Sequence, residues 1–170
     1  MSFPSLGRTE EMTRITGGVS RRSVLGIVAA ALMAPMASAT TQTSAIRVHK
    51  DPNCGCCSGW VDHLEATGFE ITVHEESDLQ KVRKRLGVPA DLTACHTAEA
   101  GEYVVEGHVP AAAIQRLLKE RPVAIGVAVP GMPIGSPGME GGTPERYAVI
   151  LFGPNGRRNF MEFEGTRQVG

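Results

Sequence analysis

Three of the four cysteines fall within four residues, Cys54-Gly55-Cys56-Cys57, and the fourth, Cys95, is followed directly by His96. A thiolate is a nucleophile, a redox partner and a soft-metal ligand, so this spacing narrows the chemistry. Cys54 and Cys57 are three apart and can share one face of a helix. A helix that opens on them offers free N–H groups and a dipole that favour thiolate over thiol. A dithiol redox pair has no use for a third thiol between its members, and Cys56 is one. Side chains that follow each other on a helix point about 100° apart, so Cys56 and Cys57 cannot approach a single ion alike. Thiolates that bridge several ions escape that constraint. Cu(I) is soft and prefers thiolate and thioether, whereas zinc asks for four ligands spread over a tetrahedron. The spacing therefore favours a Cu(I)–thiolate cluster. Thiol–disulfide exchange at Cys54 and Cys57 is the alternative, and a structural site, zinc or two disulfides, is a third reading. Adjacent cysteines rarely meet disulfide geometry with each other, which counts against the last.

Further donors lie downstream. Cys95-His96 is a candidate second arm that returns over the start of the cysteine helix. His108 stands at a strand-to-helix turn and is as well placed to be a structural turn residue as a ligand. Met132 and Met139 lie in a Gly/Pro-rich loop, 130–144, where thioethers serve either as weak soft ligands or as packing. His49, His63 and His74 fall on strand or helix surfaces and are expected to be solvated. Trp60 reads as core or as a lid over the cysteines.

The elements that must position these residues follow from hydrophobic period and punctuation. Residues 46–50 alternate as a strand. Asp51-Pro52-Asn53 is a turn, with Asn53 as a helix N-cap. Residues 54–67 carry Cys57, Trp60, Val61 and Leu64 at helical spacing, and Gly68 stops the helix. A second strand spans 69–74, and a basic amphipathic helix spans 78–86, with Leu79, Val82 and Leu86 inward and Gly87 as its stop. Val88-Pro89 leads into a loop that ends at Cys95-His96. A strand at 102–106 precedes a helix opened by Val109-Pro110. The apolar run 124–129 is a candidate central strand. Strands at 147–152 and 158–163 flank Gly153-Pro154-Asn155-Gly156 as a hairpin. The order β-α-β-α-β-α-β-β-β predicts an α/β fold, a mixed sheet with flanking helices and a C-terminal hairpin. A strand, a turn and then C-x-x-C at a helix start is the thioredoxin-like arrangement.

The 170 residues suit one ordinary domain of globular composition. Ser20-Arg21-Arg22-Ser23 leads into an apolar run, 24–39, that closes on Ala37-Ser38-Ala39. The order resembles a twin-arginine export signal cleaved after Ala39, and the run is short for a membrane span. The expected organisation is a signal peptide at 1–39, a linker at 40–45 and a metal-binding domain at 46–165, with the mature protein in the periplasm and no membrane attachment after cleavage. Cleavage removes four arginines and two glutamates, which takes the formal net charge from −1 to −3. With no basic stripe and few aromatics, the composition argues against a nucleic-acid partner.

The run His49-Lys50-Asp51-Pro52-Asn53-Cys54-Gly55-Cys56-Cys57 with Trp60, then Cys95-His96-Thr97, Tyr103, Glu106-Gly107-His108-Val109-Pro110, and the loop 131–140 resemble a family of periplasmic metal-binding proteins, the CopG-type copper-resistance proteins. The resemblance covers roughly residues 46–163, with several motifs in the same order. It implies a thioredoxin-like fold and a Cu(I) cluster held by Cys54, Cys56, Cys57 and Cys95, with His96, His108, Met132 and Met139 as possible additional ligands. It also implies redox handling of copper, with thiols passing between metal-bound and disulfide forms, and cooperation with other periplasmic copper-resistance proteins.

Overall fold

A computed structural model describes residues 45–170; the expected signal peptide and nearly all of the linker lie outside the described residues. Strand β1, Ile46–Lys50, leads through the Asp51-Pro52-Asn53 turn into helix α1, Gly55–Ala66. The helix is capped by Cys54, whose side chain makes no capping bond, and not by Asn53. The buried face of α1 is Cys57, Trp60, Val61 and Leu64, the period-3/4 set that the sequence carries. The chain returns along β2, Ile71–Glu75, parallel to β1. Helix α2, Leu79–Leu86, is capped by the Asp78 carboxylate, which accepts the Lys81 N–H, and it ends on left-handed Gly87.

After a 3-10 turn at Ala90–Leu92 the structure adds a strand that hydrophobic pattern does not announce. Strand β3, His96–Ala100, forms a tight antiparallel hairpin with β4, Tyr103–Glu106, and lies antiparallel to β1 on its other side. Its His-Thr-Ala-Glu-Ala sequence reads as polar, yet four of its five residues are buried because it is an interior strand. Helix α3, Ala111–Glu120, follows, with Pro110 at the cap position ahead of the first turn. Strand β5, Gly126–Ala128, is parallel to β4. The C-terminal hairpin is β6, Arg146–Gly153, with β7, Gly156–Glu164, and a short β8, Arg167–Gln168, closes that edge.

The eight strands form one mixed sheet in the order β2-β1-β3-β4-β5-β6-β7-β8. Its first four strands, with one parallel pair and two antiparallel pairs, are the thioredoxin-like core, and α1 starts directly after β1 as that arrangement requires. The main apolar cluster joins Val48, Ala98, Val105, Val127 and Val149 of the sheet to Trp60 and Leu64 of α1 and Ile114 and Leu117 of α3. A smaller cluster, Leu92, Val104, Ala128 and Phe152, lies apart from it. Trp60 is fully buried and donates its indole N–H to the Val109 carbonyl at 2.8 Å, which ties α1 to the start of α3.

The loop 130–144 lies on α1 through a contact between two glycines. A methyl group added to Gly138 would stand 2.5 Å from the Cys56 carbonyl oxygen and 2.6 Å from the Trp60 nitrogen, and one added to Gly59 would stand 3.0 Å from the Gly138 Cα. Gly138 also holds a left-handed φ of 82°. Nearby, Pro137 accepts a hydrogen bond from the His108 ring at 2.8 Å.

Histidines enter this interior to a degree that composition does not suggest. His96 and His108 are fully buried, and His49, expected at the surface, is buried between two carboxylates, with Nδ1 3.0 Å from Glu76 and Nε2 2.9 Å from Glu99. His63 is half-buried and accepts the Ala111 N–H at 3.2 Å, while His74 is exposed as expected. Burial is the first cause that holds the rings of His63, His96 and His108 below the ordinary value of 6.5.

Two expectations follow. The folded state keeps these rings neutral while the unfolded chain protonates them, so their contribution to stability is present above pH 6.5 and lost as pH falls below it. The thermal midpoint of the metal-free protein is therefore expected to hold between about pH 7 and 8 and to drop between about 6.5 and 5, before ordinary carboxylates titrate. A midpoint that stays flat to pH 5 would contradict neutral buried rings. Gly138→Ala is expected to lower stability by about 1–3 kcal/mol, the usual cost of overpacking, as measured by urea unfolding. Wild-type stability in that variant would show that the loop is not seated on α1.

Candidate metal centre

The cysteines meet where three segments arrive at one end of the sheet. Cys54 comes from the turn after β1, Cys56 and Cys57 from the first turn of α1, and Cys95 from the residue before β3. Register makes this meeting possible. Lys50, the last residue of β1, pairs with His96, the first of β3, so Cys95 emerges beside the turn that carries Cys54.

One sulfur atom from each of the four cysteines lies within 4.8 Å of every other. Cys54 and Cys57 are joined as a disulfide, and Cys56 and Cys95 are free. The Cys56 Sγ is 3.5 Å from that of Cys54 and 3.7 Å from that of Cys95. Cys57 is fully buried; the other three are partly exposed. Burial, and then the neighbouring Cys56 thiol, push the Cys95 thiol up to about 11.

The remaining expected donors separate. Met132 comes to the centre, its Sδ 2.9 Å from the Cys95 Sγ, and it is half-exposed. Met139, lower on the same loop, is half-buried and has no sulfur contact with the cysteines among the described residues. His96 and His108 are not part of the four-sulfur group. They stand beside it in a buried aromatic group, with His96 tilted on Trp60 at 4.2 Å and edge-on to His108 at 5.0 Å between ring centroids. Neither ring nitrogen of His96 has a hydrogen-bond partner, nor does Nε2 of His108. Trp60 therefore backs the site from within the core and does not cover it from outside.

Three residues to which the sequence reading gave no role, Arg83, Thr97 and Glu106, surround the Cys95 loop. The Glu106 carboxylate is fully buried; its Oε1 accepts from the Arg83 Nε at 2.9 Å and from the Ala94 N–H at 2.7 Å, and its Oε2 accepts from the Thr97 hydroxyl at 2.6 Å. Burial raises the Glu106 pKa, and the bonds from Thr97, Ala94 and Arg83 oppose it. A signal for Arg83 was present: it lies four residues after Leu79 and three before Leu86, on the inward face of α2.

Chemically, four clustered sulfurs with an adjacent thioether make a soft donor set, suited to a thiophilic cation and poorly suited to oxygen-seeking ions. The residues present thus fit a thiophilic metal such as copper. With Cys54 and Cys57 oxidised, two thiols and the thioether remain as donors; reduction of the disulfide restores all four thiols.

Comparison with known proteins links the chain to copper. Residues 92–139, which carry Cys95, His108, Met132 and Met139, match a family described as a protein of unknown function, DUF411. Among curated proteins, none matches the chain. Two solved structures are similar, named copper resistance protein CopG form 1 and form 2. The first shares 49% identity at a TM-score of 0.68, covering 72% of this chain and 99% of its own. The second shares 49% identity at a TM-score of 0.67, covering 71% and 98%. Over an identity and coverage of that size, this chain belongs to the CopG family of copper resistance proteins.

Proposed function

We propose that the protein is an exported copper-resistance factor that holds Cu(I) in the periplasm through Cys54, Cys56, Cys57 and Cys95 as a thiolate cluster. The observation that carries this reading is the convergence of four cysteine sulfurs within 4.8 Å. Two structural disulfides would need only pairwise approach. Here Cys56 is close to both Cys54 and Cys95, the arrangement that bridging thiolates require. Met132 adds a thioether at the solvent side. His96 and His108, with unpartnered nitrogens behind the sulfurs, are reserve donors, and Met139 is a reserve on the loop. The twin-arginine signal supports export in a folded state, and other periplasmic copper-resistance proteins are the natural donors or acceptors of the metal.

The disulfide gives the site a redox side. Oxidation of Cys54 and Cys57 releases two electrons and two protons as the S–S bond forms, enough to reduce two Cu(II) ions to Cu(I); the reverse reaction re-forms the thiols and leaves two Cu(II). Copper handling and thiol redox are thus coupled at one place. The second reading, a thiol–disulfide oxidoreductase that acts on other proteins, draws on the same disulfide at the start of α1. Cys56, which lies 3.5 Å from Cys54, has no role in it.

The fully reduced mature chain, loaded anaerobically with Cu(I) against a chromophoric chelator, is expected to bind more than one copper. Cys56→Ser is expected to lose multinuclear binding, and Cys54→Ser or Cys57→Ser to weaken it. Protein in which Cys54–Cys57 is oxidised is expected to bind at least tenfold more weakly, since two thiolates are withdrawn. Metal content and retained chelator colour decide this. A reduced protein that takes up no Cu(I), yet reduces protein disulfides in a Cys54-dependent way, would establish the oxidoreductase reading in its place.

A further inference from the structure

Cys95 is the one cysteine that lies outside the C-G-C-C run, and the structure shows what fixes the loop that carries it. Ala94, the residue before Cys95, is held at both polar groups of its backbone. Its N–H donates to the Glu106 Oε1 at 2.7 Å, and its carbonyl accepts from the Arg83 guanidinium. Arg83 also donates to Glu106 through Nε at 2.9 Å, so the three groups form a closed ring. On the other side of Cys95-His96, the Thr97 hydroxyl donates to the Glu106 Oε2 at 2.6 Å. One buried carboxylate thus holds the chain immediately before and two residues after Cys95.

A purely structural account of this ion pair is weak. Burying a charged pair costs desolvation on both partners, and an apolar replacement of like volume is often neutral or stabilising. The residues around Glu106 in β4 are Val104 and Val105, which pack in the two apolar clusters and need no charge beside them. Apart from the Arg83–Glu106 pair itself, the side-chain hydrogen bonds of the ring end on Ala94 or Thr97. A short loop carrying a functional residue gains accuracy when its backbone bonds are fixed from a rigid strand and helix.

We propose that Glu106, with Arg83 and Thr97, is a positioning residue that holds the Cys95 sulfur within reach of the C-G-C-C turn. Its meaning for copper rests on the function proposed above, but the placement itself can be tested without copper. In metal-free protein with Cys54–Cys57 oxidised, Cys56 and Cys95 are the two free thiols, 3.7 Å apart. Phenylarsine oxide is captured tightly only by two thiols at such a distance, forming two As–S bonds with loss of water. The probe therefore reports on the placement of Cys95 directly.

Wild type and Glu106→Gln are expected to capture one equivalent with similar affinity. The glutamine oxygen can still accept from Ala94, and the Thr97 hydroxyl can turn to accept from its amide. Glu106→Leu, close in volume but without an acceptor, is expected to capture the arsenical at least tenfold more weakly, the factor that an unpartnered buried N–H brings. Capture by Glu106→Leu at the wild-type affinity, or no capture by wild type, overturns the proposal. Cooperative thermal unfolding identifies a folded variant; if Glu106→Leu lacks it, Thr97→Val is judged by the same criterion, with Thr97→Ser expected to restore capture. A copper arm separates the two ideas. Glu106→Leu is expected to lower Cu(I) affinity to that of Cys95→Ser and to add nothing in a Cys95→Ser background, and a further loss there overturns action through Cys95. If Cys95→Ser binds Cu(I) as wild type does, the copper role of Cys95 fails while the arsenical result still decides the positioning.

Discussion

The antiparallel pairing of β1 with β3 is the constraint on which the rest depends. Lys50 opposite His96 and His49 opposite Thr97 bring the beginning of β3 to the end of β1, so the residue before one strand and the residues after the other share a corner of the sheet. Strand register is quantised: a slip of one residue exchanges the faces of every side chain. In the observed register Val48, Ala98 and Val105 form one row that packs into the main core, and His49, Thr97 and Glu106 form a row of the opposite character. A one-residue slip of β3 against β1 would set Thr97 or Glu99 opposite Val48 and would shift Cys95 relative to the turn. The core and the sulfur cluster are therefore specified by the same pairing.

The price of this arrangement is a set of buried polar side chains in a domain of modest size. Arg83 and Glu106 satisfy each other and the Cys95 loop, and His49 satisfies two glutamates. His96 and His108 differ, since three of their four ring nitrogens are buried without a partner. An apolar residue of similar size would avoid that cost. Their packing against Trp60 starts at His96, the residue after Cys95, and among the described residues these are the buried side-chain nitrogens left without a partner. Polar groups left unsatisfied in this way are concentrated at functional sites in folded proteins, where stability is traded for chemistry.

Much of the fold was legible because its signals are local. Trp60, Val61 and Leu64 repeat at helical spacing, Asp78 and Gly87 bracket α2, and Gly153-Pro154-Asn155-Gly156 announces the last hairpin. Strand β3 was not legible, because its burial comes from neighbours on both sides and its own residues are small or polar. His49 was misplaced for a related reason: alternation along β1 sets it on the opposite face from Val48, but α2 and Glu99 cover that face. The cysteine set needed only spacing, since three members fall within four residues and the fourth is the only other cysteine in the sequence. The supporting residues were hidden because Arg83 stands among Lys81, Lys84 and Arg85, where composition reads as a solvated face and only the position relative to Leu79 and Leu86 marks one of them as inward.

The disulfide and the four-sulfur donor set compete for the same atoms. A sulfur shared in an S–S bond has no thiolate to offer, so the Cys54–Cys57 bond leaves Cys56, Cys95 and Met132 as the soft donors of the corner. These three come from the C-G-C-C turn, the loop before β3 and the methionine loop. Cys57 is the buried member of the pair and Cys54 the exposed one, which directs any attacking thiol or ion to Cys54 first. By linkage, a ligand that binds only the reduced site stabilises reduction by as much as reduction strengthens its binding. A soft metal that bound the reduced site would therefore act on the potential of the Cys54–Cys57 couple even without transferring an electron, because both equilibria draw on the Cys54 and Cys57 sulfurs.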